Sequence, residues 1–159
     1  MNAIMEGYYP IFRQYQALRE QLMEIVTDRE LGFTPGGENP TLGALCLELG
    51  EVEVSYIMSF KTFRHDWSYR NEEPGLAHSV ERLSAWFKEL DRELEASIDA
   101  LSDDDIQHRT IEHSPTVSHG PLIQLEVYKE ALLIFYGKVN VYLKAMGKPQ
   151  PQQWQEWIV

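Results

Sequence analysis

The stretch Gly120 to Gly147, GPLIQLEVYKEALLIFYGKVNVYLKAMG, constrains the fold more than any other part of the chain. Leu125, Leu132, Phe135, Val139 and Tyr142 recur at spacings of three, four and seven, the period of one helix face. Pro121 suits the first helical turn, where a missing N–H costs nothing. Lys144 meets the negative end of the helix dipole. Gly147 is placed to cap the C-terminus, and Pro149 forbids continuation. A helix of this length must bury its stripe against other helices.

Three partners are legible. Ile4, Tyr8, Ile11, Tyr15, Leu18, Leu22 and Ile25 predict a first helix over about Asn2–Asp28, with Pro10 marking its true start or a kink. The turn-rich LGFTPGGENP follows. Asn39 or Thr41 then caps a second helix that runs to about Phe63, with Leu42, Leu45, Leu49, Val52 and Tyr56 inward. Glu48 falls on the edge of that stripe, whereas Glu51 and Glu53 read as solvent-facing. A linker rich in aromatic and imidazole groups, with His65, Trp67 and Tyr69, leads to a third helix over about Leu76–Leu101. Its stripe of Leu76, Val80, Leu83, Phe87, Leu90, Leu94, Ile98 and Leu101 backs onto a charged, solvated face. Ser102 and three aspartates form a capped turn. The segment to Gly120 has no helical period and holds His108, His113 and His119. Trp154, Trp157 and Ile158 in the tail are expected to fold back onto the helices. The expectation is an all-α four-helix bundle, one domain over residues 1–159.

A formal net charge of -11 argues against nucleic acid and against an anionic membrane surface. No run is apolar enough to span a bilayer, and the N-terminus has no basic start leading into an apolar core, so a cytoplasmic protein is expected. The single cysteine, Cys46, reads as a small buried hydrophobe on a helix. No Gly-rich phosphate loop, paired-cysteine, HExxH or GxSxG motif is present.

Two segments resemble a known superfamily. TLGALCLELGEVE, Thr41 to Glu53, resembles the second helix of DinB-like (DinB/YfiT-like) proteins, and EALLIFYGKVNVYLKAMGKPQP, Glu130 to Pro151, resembles their last helix. LSDDDI, Leu101 to Ile106, fits in order. The resemblance implies a four-helix bundle, often a homodimer, in which many members hold a divalent metal with three histidines, one on the second helix and two on the last. Imidazoles at i and i+4 share a helix face, and open positions on the ion can activate water or a low-molecular-weight thiol. At those positions this chain carries Glu48, Ala131 and Phe135, with Tyr136 and Lys138 in place of the neighbouring arginine and glutamine. Two of the three cannot bind a metal, so the site is expected to be degenerate and no cofactor is implied.

The candidate pocket is therefore Glu48, Tyr128, Ala131, Phe135, His113 and His119, with Gln124 and Glu130 at its periphery. Glu48 is the candidate acid or base if burial raises its pKa. Glu48, His113 and His119 form an alternative metal set. Three readings stand: a binder of a small apolar ligand or protein partner without metal, an enzyme using substitute ligands or Glu48, and an oligomeric structural module. Gly50 and Gly137 are candidates for close helix approach in a dimer.

Overall fold

A computed structural model describes all residues, Met1–Val159. Seven helices and one hairpin follow in order: α1 Ala3–Gly7, α2 Tyr9–Ile25, α3 Leu42–Thr62, α4 Val80–Asp99, α5 Asp103–His108, β1 Ile111–Ser114, β2 Val117–His119, α6 Pro121–Ala145 and α7 Gln152–Trp157. The four long ones are α2, α3, α4 and α6. Both α2 and α3 pack on α4 and on α6, which closes a bundle around one apolar core.

The sequence signals act where expected in α3, α4 and α6. Thr41 Oγ1 accepts the Ala44 amide at 3.1 Å and caps α3. Ser79 caps α4, and Ser102 and Asp105 form a capping box on α5. Gly147 takes φ +66, and the Lys148 amide returns to the Leu143 carbonyl at 2.9 Å, which satisfies the end of α6. The α6 stripe is buried throughout, and so is the α4 stripe except for half-buried Val80.

Several expectations are corrected. The first helix breaks at Tyr8, because Pro10 sits in the first turn of α2 and cannot donate backward. The break resets the helical phase, so Ile11 faces solvent while Tyr9, Phe12, Gln16 and Arg19 face inward. The third helix begins at Val80, after a short 3-10 turn over Leu76–His78. The histidine-rich segment pairs as an antiparallel hairpin. The tail, by contrast, folds back onto the helices as expected: Trp154 is fully buried and donates from Nε1 to the Leu18 carbonyl at 2.9 Å, and Trp157 meets Tyr15 edge-on. Gly50 makes a close approach inside the chain and not in a dimer: a Cβ there would lie 2.1 Å from the Trp86 ring. Gly137 faces open space.

Glu53 is also buried, at 0% exposure, not solvent-facing. It pairs with Arg19, itself 1% exposed: Nη1 donates to Glu53 Oε2 at 2.7 Å and Nη2 to Asp91 Oδ1 at 2.6 Å. Gln16 also donates to Asp91, and Phe87 lies under the guanidinium at 4.1 Å. One cation thus joins α2, α3 and α4. Burial pushes the Glu53 carboxyl well above the carboxylate range, with Arg19 pulling the other way. Removing the cation strips Asp91 of its counter-charge and leaves the wholly buried Glu53 carboxyl without its donor. Arg19→Met is expected to lower the unfolding free energy by about 3–5 kcal/mol in chemical denaturation. A loss below about 1 kcal/mol would show that the cluster does not hold the helices together.

Candidate functional site

The three positions at which the resemblance implies metal-binding histidines come together. Glu48 on α3 and Ala131 and Phe135 on α6 line one groove of about 160 Å³, with Leu45, Val52 and Lys138. Their spacing explains this. Glu48 lies three residues after Leu45 and four before Val52, and Ala131 and Phe135 are one turn apart on α6. Phe135 is 5% exposed and forms part of the floor. Neither Ala131 nor Phe135 carries a donor atom, so these residues do not fit a three-ligand metal centre. Glu48 is exposed at the rim beside Lys138 and makes no hydrogen bond or ion pair within the chain.

The remaining candidates lie elsewhere. Tyr128 is fully buried in the bundle, in ring contact with Phe12 at 5.8 Å and Tyr56 at 5.0 Å. Its carboxylate neighbour is Glu53, not Glu48; burial first and then Glu53 raise its phenol well above the ordinary value. Cys46 is buried, and burial pushes its thiol up to about 12, which fits the inert reading.

His113 and His119 do meet, but around Gln124 and without Glu48. Gln124 Oε1 accepts from His113 Nδ1 at 3.1 Å and from His119 Nε2 at 2.6 Å. Its Nε2 donates to Ser59 Oγ and to His65 Nδ1, both at 2.9 Å. Ser59 spends its own proton on the Tyr56 carbonyl, so it must accept from Gln124. The donor count then fixes the tautomers. His65 holds its proton on Nε2, a buried atom with no partner. His113 holds its proton on Nδ1 and His119 on Nε2. The three imidazoles face one side-chain amide and no common vacant point, and no group of three or more His, Cys, Asp or Glu side chains has the arrangement of a metal site. Sequence reasoning missed His65 and the central role of Gln124. The available signal was Gln124 itself, a polar residue one position before Leu125 at the head of the longest helix.

The knot ties the strap, both strands of the hairpin, α3 and α6 together at one end of the bundle. The His65 amide donates to the Glu112 carbonyl at 2.8 Å, and the Glu112 amide donates to Phe63 at 3.0 Å, so the strap after α3 runs along β1. His65 packs on Trp67 with ring centres 3.8 Å apart.

No family model matches the sequence, and no curated protein matches it significantly. Among solved structures, a DinB-like protein from Bacillus cereus ATCC 10987 superposes with a TM-score of 0.74 at 14% identity, covering 92% of this chain and 95% of that one. The DinB-like protein YjoA from Bacillus subtilis gives 0.67 at 14% identity, over 86% of this chain and 90% of that one. The chain has the DinB-like fold. No helix is long and apolar enough to cross a membrane.

The knot makes a pH prediction. Burial first, and then the neighbouring His113 and His119, lower His65 from 6.5 to about 4, with only Asp66 opposing. A depressed histidine favours the fold in its neutral form. That stability is complete above pH 6.5 and is lost as pH falls towards 4. The loss is expected to approach a few kcal/mol, at about 1.4 kcal/mol per pH unit. Thermal unfolding from pH 7.5 to 4 should show it, and His65→Asn should flatten the curve. Equal slopes in the two proteins would contradict the assignment.

Proposed function

We propose that this is a binding protein that works without a metal and takes a small apolar ligand, or an apolar group of a partner, in the α3–α6 groove. The observation that carries this reading is the joint placement of Glu48, Ala131 and Phe135: the fold keeps the depression while two of its three positions hold hydrocarbon. The lining is apolar except for Glu48 and Lys138 at the edges. A volume near 160 Å³ suits one ring or a short alkyl chain.

The same reading includes a cytoplasmic homodimer. Ile123 at 51% exposure and Val141 at 57% stand on α6 outside the groove lining, and a helix with apolar groups left exposed beyond its buried stripe calls for a partner. The lone cysteine fits a reducing compartment.

The test is titration with toluene and with 1-hexanol, followed by amide chemical shifts. Saturable shifts at Leu45, Val52, Ile134 and Phe135 are expected. Ala131→Trp, which fills the groove, should weaken binding at least about tenfold, whereas Glu48→Gln should change it less than about twofold. Binding that survives Ala131→Trp would move the ligand out of this groove, and no saturable shift would refute the reading.

A further inference from the structure

One feature lies outside the groove: the strap after α3 exposes aromatic surface and holds it rigidly. Trp67 is 47% exposed, and Met58 and Tyr69 are exposed beside it. They border a depression of about 840 Å³ that also takes in Arg64 and Asp66. A bare indole on a mobile loop would mean little. This one is clamped from behind on three sides: His65 lies against it at 31° between ring planes, and Tyr56 and His113 meet it edge-on at 5.9 and 5.5 Å. His65 and His113 are both fixed by buried Gln124.

The strap itself is pinned. Arg70 Nη1 donates to the carbonyls of Trp67 and Tyr69 at 2.9 and 2.6 Å, and the Asn71 amide donates to Glu51 Oε2 at 2.8 Å. A rigid aromatic plane loses little entropy when a ligand ring settles on it. The same support makes it a preorganised contact and not a frayed loop.

The charge beside it gives the ligand's second group. Arg64 lends its main chain to the fold, bridging to Glu112 and accepting from Thr62, while its guanidinium is exposed and in no ion pair. Asp66, the nearby anion, accepts the Ser68 amide at Oδ1 at 2.9 Å and belongs to the turn. Arg64 presents a planar fork that suits a carboxylate. We propose that this depression binds a planar aromatic carboxylate, its ring stacked on the open face of Trp67 and its carboxylate paired with Arg64. The site is separate from the α3–α6 groove, and either can fail without the other.

The experiment is a 1H–15N NMR titration of the full chain with 2-naphthoate, 2-naphthylmethanol and 2-naphthylmethylammonium. Saturable shifts at the Trp67 indole and the amides of residues 64–69 are expected, with a Kd for 2-naphthoate on the order of 0.1–1 mM. The alcohol and the ammonium compound should bind at least about threefold more weakly. Arg64→Gln, a change on the surface, should remove that preference while leaving the alcohol unchanged, and Trp67→Leu should abolish binding of all three. Equal binding of the three probes would overturn the carboxylate assignment. Shifts confined to Leu45, Ile134 and Phe135, or none at Trp67 up to about 5 mM, would overturn the site.

Discussion

The bundle depends on a single buried cation. Arg19 reaches Glu53 on α3 and Asp91 on α4 from its place on α2, across a core made mostly of aliphatic side chains and aromatic rings. Hydrocarbon packing tolerates many arrangements of four helices, but a guanidinium with two short ion pairs tolerates few. It fixes the phase of α2 after the break at Tyr8 and turns Glu53 inward on α3. With Glu53 inward, Glu48, five residues earlier, falls on the outer edge that faces α6. The rim of the groove is thus tied to the polar pairing inside the bundle.

The two ends of this arrangement use polar groups differently. In the centre, polar atoms serve helix registration, and several, including Glu53 Oε1, Arg19 Nε and Tyr128 Oη, have no hydrogen-bond partner within the chain. At the hairpin end, Gln124 is saturated by four partners and draws the strap, β1, β2 and α6 together. Beyond the centre, on the side away from the hairpin, lies an apolar trough where the resemblance to DinB-like proteins implies ligating imidazoles. Phe135 fills part of that space, and it and Ala131 each remove one of the implied donors.

Helix periodicity made α3, α4 and α6 legible, because their stripes are long and their caps lie in the sequence. Glu48, Ala131 and Phe135 were legible as neighbours for the same reason, since they sit at fixed helical phase. The resemblance in two helices anticipated the DinB-like fold. What could not be read was long-range and polar. Arg19 and Glu53 look like surface charges until the helices meet, because an ion pair across 34 residues leaves no local pattern. The hairpin was invisible because its strands are four and three residues long and register by cross-strand bonds. His65 and Gln124 meet across 59 residues, so the two loop histidines called up the wrong third partner, Glu48.

The central claim is that the α3–α6 depression works without a metal. The direct measurement is the metal content of untagged protein purified without chelators, followed by calorimetric titration with zinc and with nickel, on the natural chain and on Glu48→Ala. The account predicts no stoichiometric metal and no saturable heat from either protein. Near-stoichiometric metal bound with micromolar or tighter affinity, and lost in Glu48→Ala, would contradict it and restore metal chemistry to the groove.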